Sequence, residues 1–257
     1  MNGTRIGMIC VTLALAAILA LPSTAVNAAP GGSEEAKELL LASVEATGGM
    51  EAATGWTTMV QTGILRQFQP GWGNLTADCS RHVVKPDKVR DERDFSAYDH
   101  PFFYQYYLNG DDAWMLVNMM VREHPRVTET MKELMRLIDG VAYYAAHTDS
   151  LFLVPDVPDD SLFTGSSIDR VGVVDRGDTV FIDLCRETRY PVRRIDDGGA
   201  RLAIYSIYRE ADGRTVPFRV QIFEQTGVTT EYLWDEIRYD VEIDEEIFEE
   251  FRPVKEE

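Results

Sequence analysis

Residues 203–251 read AIYSIYREADGRTVPFRVQIFEQTGVTTEYLWDEIRYDVEIDEEIFEEF, and this stretch decides the fold class. It contains three runs rich in β-branched and aromatic residues, which span 203–208, 216–223 and 230–239. Only short turns containing Gly213 or Gly227 separate the runs, and glycine supplies the positive φ that tight hairpin turns require. The pattern therefore predicts consecutive antiparallel strands that are neighbours in one sheet.

A helix and a further series of strands are predicted upstream. Ser33 is expected to cap a helix that continues to residue 46, where glycines at 48 and 49 end the helical periodicity. A short helical turn follows at 50–53. Runs of alternating apolar residues then predict strands at 56–68, 75–84, 88–95, 102–108, 113–117, 168–174 and 179–185. One face of the first of these strands carries Trp56, Val60, Ile64 and Phe68.

Between these strands the hydrophobic period changes to that of a helix over 126–146, which we call the helical insert. Its apolar residues recur at helical spacing and continue past Gly140; they are Met131, Leu134, Met135, Ile138, Val141, Tyr143 and Tyr144. They offer more apolar surface than a helix needs to lie on a sheet. We therefore expect the helical insert to act as a lid. Residues 151–160 are expected to form a loop.

The N-terminus has the features of a secretory signal peptide. Arg5 precedes an apolar run over 9–21, which is shorter than the roughly 20 residues needed to span a bilayer. Ala25 and Ala28 are small residues of the kind that a signal peptidase recognises. We expect cleavage near Ala28 (signal peptide 1–28), leaving one domain over 29–257 that is periplasmic and monomeric.

Charge and cysteine content restrict the partners. The formal net charge is −18, and such a field repels the phosphate backbone of nucleic acids, which excludes them as expected partners. Cys79 and Cys185 lie in predicted strands, and an exported protein can form disulfides. The sequence leaves open whether the two are bridged or are separate buried thiols. Two cysteines so far apart in the chain do not predict a zinc site.

The sequence contains none of the common catalytic motifs. The four histidines lack metal-site spacings, and neither a G-x-S-x-G elbow nor a glycine-rich phosphate loop is present. Clusters of aspartates at 156–160 and 196–197 lack the regular spacing of a calcium loop. These absences predict a non-enzymatic protein with no metal and no cofactor.

Aromatic and methionine residues form the stronger signal. The segment PFFYQYY at 101–107 places aromatic rings on both faces of one strand, so each face needs a partner. One face can pack in the core, and the other can contact either the helical insert or a ligand. Methionine side chains fill cores but also adapt to varied apolar ligands. The candidates for lining an apolar ligand cavity are Phe102, Tyr104, Tyr106, Met131, Leu134, Met135, Ile138 and Tyr144.

Three segments, each present once, follow one another in an order that is typical of a known family. AKELL at 36–40 leads to paired glycines, YSIYREADG at 205–213 is followed by VPF at 216–218, and a closing tail contains ID at 243–244 and IF at 247–248. In this order and spacing the chain resembles the LolA/LolB-like family of outer-membrane lipoprotein-sorting carriers. The resemblance implies an α+β fold, in which a curved antiparallel sheet forms an unclosed half-barrel and helices cover its concave face. It also implies space for acyl chains against that face.

Three functions remain open at this point. The leading hypothesis is a carrier that holds lipid, lipoprotein acyl chains or a similar hydrophobic ligand under a helical lid, with about 0.8 kcal/mol gained per buried methylene. The second is an interaction or envelope-sensing module of the same fold that binds a partner protein, which could be membrane-associated. The third is a hydrolase that uses carboxylates, which requires a carboxyl group with a strongly perturbed pKa in a cleft.

Overall fold

A computed structural model describes residues 34–71, 73–97, 102–122, 125–147, 150–155, 157, 167–196 and 199–253. The predicted signal peptide and Ser33 lie outside these residues, as does most of the aspartate-rich segment 156–160. The described chain begins with helix α1 (Glu34–Ala46) and the short helix α2 (Gly49–Thr54), both at the predicted places. Gly48 and Gly49 have φ of 120° and 88°, which explains why the first helix ends there.

The described strands form one 13-stranded antiparallel sheet. They are β1 (Thr58–Gln69), β2 (Gly73–Val84), β3 (Lys88–Asp94), β4 (Phe103–Asn109), β5 (Asp112–Val117), β6 (Met120–Arg122), β7 (Leu151–Val154), β8 (Ile168–Asp175), β9 (Asp178–Cys185), β10 (Pro191–Asp196), β11 (Arg201–Ala211), β12 (Arg214–Glu224) and β13 (Thr229–Tyr239). The order across the sheet runs from β6 down to β1, then from β13 back to β7. Each strand in both series pairs with its neighbour in sequence, as the hairpin pattern of residues 203–239 predicts.

The curved sheet is not closed into a barrel, and helices cover its concave face, as expected. The helical insert consists of helices α3 (Pro125–Arg136) and α4 (Val141–His147), joined by a turn that ends at Gly140 with φ of 60°. A short 3-10 helix (Glu245–Phe248) follows β13.

Three short strands differ from the sequence-based expectations. Leu151–Val154 is not a loop but the edge strand β7, which pairs with β8. Strands β6 and β10 were not predicted at all. A run of three to six residues carries too little periodicity to reveal a strand. These segments become strands because a neighbouring strand offers them backbone hydrogen bonds.

The face of β1 that packs in the main apolar cluster is not the one that carries the alternating apolar residues Val60, Ile64 and Phe68. Val60, Ile64 and Phe68 share a face, but Phe68 is 42% exposed. Met59 and Leu65, on the opposite face, belong to the main apolar cluster together with Trp56, which precedes the strand. Alternation identifies the residues that share a face, whereas the curvature of the sheet and the positions of the helices decide which face is inside.

Both faces of β4 have partners, as the aromatic pattern of residues 101–107 requires. Tyr107 packs with Trp114 and Leu116 on the convex side, with the rings of Tyr107 and Trp114 stacked at 5.1 Å. The C-terminal 3-10 helix contacts β3 and β4, and its Phe248 is fully buried. The C-terminal tail therefore contributes to the core at the end of the sheet that α3 covers on the concave side.

Gly63 allows the two series of strands to join. The pairing of β1 with β13 shifts register between Thr62 and Gly63. A Cβ atom at residue 63 would lie 2.2 Å from the Leu233 carbonyl oxygen and 2.7 Å from the Trp234 Cα. Both atoms belong to the backbone and cannot rotate away, so the strands must separate to admit a methyl group.

We expect Gly63→Ala to lower the free energy of unfolding by about 1–3 kcal/mol through this overpacking. Urea denaturation followed by circular dichroism measures the change, and Thr62→Ala at the adjacent position is the control. An unaltered urea midpoint for Gly63→Ala would contradict the close approach of β1 and β13.

Candidate functional site

The concave, helix-covered face of the sheet, which we call the inner face, carries two apolar clusters. The first is formed by β1–β5, β12, β13 and α3, and its buried members include Met59, Leu65, Val83, Leu108, Phe218 and Trp234. The second is formed by α1, α4 and β7–β9, and it includes Leu40, Val44, Val171, Ile182 and Leu184. Burying an aliphatic side chain of this size contributes about 1.5–3 kcal/mol. The second cluster thus fixes α1 and α4 on the sheet.

Seven of the eight predicted ligand-lining residues meet in the first cluster. Met131 is a buried member, and six partly buried residues pack against it: Phe102, Tyr104, Tyr106, Leu134, Met135 and Ile138. The aromatic residues come from the strand region and the aliphatic residues from the helical insert, so the two layers face each other. Tyr144 lies elsewhere, because it is 2% exposed within the second cluster. The structure does not bring Tyr144 together with the other seven residues.

Aromatic rings form a continuous row on the inner face beneath α3. Phe95 and Phe102 are stacked with ring centroids 4.5 Å apart, Phe102 meets Tyr104 edge-on at 5.7 Å, and Tyr104 is stacked on Tyr106 at 6.4 Å. Helix α3 contacts β3, β4 and β5, the strands that hold or adjoin this row. The row is a flat apolar track with a polar hydroxyl on each tyrosine.

A charged cluster interrupts the apolar inner face next to this row. Asp91 on β3 is 2% exposed. Its Oδ2 accepts hydrogen bonds from Nη2 and Nε of Arg81 at 2.6 and 2.9 Å, and its Oδ1 accepts one from Nε of Arg93 at 3.0 Å. Nη2 of Arg93 donates to the Tyr232 hydroxyl at 3.0 Å. We call Arg81, Asp91 and Arg93 the RDR cluster.

Aromatic rings surround both guanidinium groups of the RDR cluster. Cζ of Arg93 lies 5.0 Å from the centroid of Tyr106, and Cζ of Arg81 lies 5.5 Å from those of Tyr232 and Trp234. Cations over ring faces at these distances are attracted by the ring quadrupole. Arg93 pairs with Tyr104 and Asp91 pairs with Tyr106 across β3 and β4, so the RDR cluster lies beside the last two rings of the row.

Small side chains between these strands make room for the arginines. Gly63 on β1 pairs with Cys79 on β2, and Cys79 pairs with Arg93 on β3. Tyr232, the phenol that Arg93 contacts, lies on β13 beyond β1. A large side chain at residue 63 or 79 would occupy the surface over which Arg93 extends.

Sequence reasoning missed the RDR cluster, although β3 contains a signal. Val89, Asp91, Arg93 and Phe95 occupy alternating positions, so both charged residues lie on a face that is apolar at its two ends. An acid and a base two residues apart on an apolar strand face predict a buried polar contact. Nothing local identifies Arg81 or Tyr232 as the partners.

The protonation states give the RDR cluster a net charge of +1. Burial by itself would raise the pKa of Asp91, but the neighbouring Arg93 and Arg81 outweigh it and the pKa of Asp91 is lowered. Burial raises the pKa of Tyr232 and of Tyr106. Burial likewise raises the pKa of Cys79 to about 12. At neutral pH the phenols and the thiol are therefore uncharged, and two guanidinium groups face one carboxylate.

The helical insert is joined to the rest of the protein by polar contacts around its margin. Nζ of Lys85 lies 2.6 Å from Oδ1 of Asp139, and Nζ of Lys132 lies 2.6 Å from Oδ1 of the exposed Asp111. Arg136 contacts Asp175 at the end of β8. Of these three ion pairs only Lys132–Asp111 is solvent-exposed, and such a pair contributes about 0–1 kcal/mol. The Lys85–Asp139 and Arg136–Asp175 pairs are largely buried and connect the insert to the rest of the protein.

Cys79 and Cys185 are both buried and are not joined by a disulfide. In the part of the chain that the structure describes, no group of three or more histidine, cysteine, aspartate or glutamate side chains is arranged to hold a metal ion. Among the helices described, none is long and apolar enough to cross a membrane.

Comparison with known proteins identifies the fold. No protein-family model and no curated protein sequence matches the chain. Among solved structures, a DUF1329 family protein from Desulfovibrio piger is similar with a TM-score of 0.55 and 15% identity, covering 84% of this chain and 97% of the other. A domain assigned to an outer membrane lipoprotein-sorting protein from Vibrio parahaemolyticus has a TM-score of 0.53 and 14% identity over 84% of this chain and 96% of the other.

A LolA superfamily protein from Nitrosomonas europaea is similar at a TM-score of 0.53 with 12% identity, and 83% of this chain and 96% of that chain are covered. The chain therefore has a LolA-like fold, and the resemblance stated from the sequence is confirmed at the level of the fold.

Proposed function

We propose that this protein is a periplasmic carrier that binds a hydrophobic ligand, such as a lipid or the acyl chains of a lipoprotein, between the inner face and the helical insert. The observation that carries the proposal is the first apolar cluster. Its aromatic row and the underside of the insert face each other, yet Phe102, Tyr104, Tyr106, Leu134, Met135 and Ile138 are only partly buried. These side chains keep apolar surface that the protein itself does not cover, and contiguous surface of this kind commonly marks a ligand-binding groove.

The energetics favour a long-chain ligand. Each buried methylene contributes about 0.8 kcal/mol, whereas association costs roughly 4–15 kcal/mol in lost freedom of motion. A short apolar molecule cannot offset this cost, but an acyl chain of a dozen or so carbons can. Two of the similar folds, from Vibrio and Nitrosomonas, are assigned to lipoprotein sorting or to the LolA superfamily, which agrees with a ligand of this class.

The proposed role needs no covalent chemistry. Asp91, a buried carboxyl group on the inner face, has a lowered pKa because two arginines hold it ionised. A general acid at neutral pH requires a raised pKa instead, so Asp91 does not suit that role. We propose a non-enzymatic carrier, exported by the signal peptide expected at residues 1–28.

Native mass spectrometry of the protein purified from its own cells tests this proposal. We expect a bound mass of lipid size that organic extraction removes, and we expect the extracted protein to bind the neutral fluorescent probe Nile red. A protein that carries no such mass and does not bind Nile red would not be a carrier. Tight co-purification of another protein in that case would favour an interaction module instead.

A further inference from the structure

The RDR cluster has hydrogen-bonding capacity that the described residues do not use. The hydrogen bonds of Arg93 occupy Nε, with Asp91, and Nη2, with Tyr232. Nη1 of Arg93 has no hydrogen-bond partner among the described residues, and the side chain of Arg93 is 20% exposed. Within the same described part of the chain, the hydroxyl groups of Tyr104 and Tyr106 also have no hydrogen-bond partner, and both residues are only partly buried. Donors are thus available where the aromatic row ends.

The charge of the cluster is unbalanced. Two guanidinium groups share a single carboxylate, so one positive charge remains within the cluster. A buried ion pair is weak support for stability, since well-packed hydrophobic residues commonly stabilise a protein as well or better. An unbalanced cluster is less favourable still, unless a further anion completes it.

The net charge of −18 on the chain opposes the approach of any anion. That opposition comes from charges spread over the surface, and salt screens them over about 8 Å at physiological ionic strength. At contact distance, a charge-assisted hydrogen bond from a partly buried guanidinium outweighs the remote field. The local charge at Arg93 therefore decides which head group the site accepts.

From this geometry we infer that the RDR cluster anchors the anionic head group of an amphiphile, with Arg93 as the principal donor, while the apolar tail lies along the aromatic row under α3. The inference rests on the proposed carrier function and adds the chemical class of the ligand: a long-chain molecule with a carboxylate or phosphate head. Arg81 and Asp91 position Arg93, since Asp91 binds both arginines.

Displacement of Nile red by three amphiphiles of equal chain length tests the inference. Dodecanoate, dodecyl phosphate and dodecanol carry a carboxylate, a phosphate and a neutral hydroxyl head, respectively. We expect the wild-type protein to bind at least one of the two anions about tenfold more tightly than dodecanol, the effect of one charge-assisted hydrogen bond. The better of the two anions distinguishes a fatty acid from a phosphate-headed lipid.

Two substitutions should shift this preference in opposite directions. Arg93→Met removes the donor while keeping an unbranched side chain, and it should eliminate the preference for the anions without weakening dodecanol binding. Asp91→Asn keeps the shape but raises the net charge of the cluster, so it should increase the preference several-fold. Arg66→Met, at an exposed arginine paired with Glu231 on the convex face, is the matched control and should behave as wild type.

The outcomes separate this inference from the proposed function. If anions and dodecanol bind equally tightly to the wild-type protein, the head-group anchor is wrong and the carrier stands. If none of the three displaces Nile red, both are wrong. Circular dichroism shows whether Arg93→Met folds. If it does not fold, Asp91→Asn provides the test of the inference. An unchanged or smaller preference for the anions in Asp91→Asn would overturn the inference.

Discussion

Leu134→Glu combined with Ile138→Glu is expected to weaken Nile red binding by more than about tenfold, because a carboxylate against an apolar ligand must lose water without gaining a partner. Both side chains pack against the first apolar cluster from the helical insert and remain partly exposed. The new carboxylates can therefore reach solvent in the ligand-free protein, and the sheet should stay folded. Nile red is neutral, so the result does not depend on the head-group anchor.

Fluorescence titration measures the binding, and circular dichroism reports whether the sheet is intact. Thr130→Glu is the control, since residue 130 is exposed on the same helix and the substitution adds a carboxylate outside the apolar cluster. If residues 134 and 138 served only as core, the double variant would lose several kcal/mol of stability and binding would be lost with the fold. Undiminished Nile red binding in a folded double variant would exclude the helical insert as a lid.

Asp183→Ala is expected to destabilise the protein by about 3–5 kcal/mol, because it leaves two buried guanidinium groups without their shared carboxylate. Asp183 on β9 is fully buried, and its side chain contacts Arg170 on β8 and Arg193 on β10. Nε of Arg170 lies 2.6 Å from Oδ1 of Asp183, and Nη2 of Arg170 lies 3.0 Å from Oδ2. The three residues link three adjacent strands of the sheet.

Asp169→Ala is the matched control on β8. Asp169 also binds two arginines, Arg186 and Arg189, but their side chains are 60% and 39% exposed. Exposed pairs contribute little, so this change should cost at most about 1 kcal/mol. Urea denaturation of both variants gives the comparison. Similar urea midpoints for Asp183→Ala and Asp169→Ala would show that burying the ion pairs of Asp183 with Arg170 and Arg193 has no energetic consequence.

The candidate site was predicted only in its apolar part. The residues of the helical insert and the alternating rings of 102–106 were identified because each set repeats at the period of its own helix or strand, and local repetition is visible in a sequence. Tyr144 belongs to the same helical pattern, yet it packs on α1 and β7–β9 and not on the first apolar cluster. Periodicity shows which side chains share a face but does not show what covers that face.

By itself, the sequence determined the local elements and the pairing of neighbouring strands. The turns within residues 203–239 are too short for any connection except an antiparallel hairpin, and the glycines after residue 46 end α1 whatever the rest of the chain does. The tertiary structure alone decided that β1 pairs with β13, which side of β1 is inside, and that Arg93 contacts Tyr232 across 139 residues of sequence. The physical reason is that such contacts join distant segments through the curvature of the whole sheet, and neither partner carries a local pattern that specifies the other.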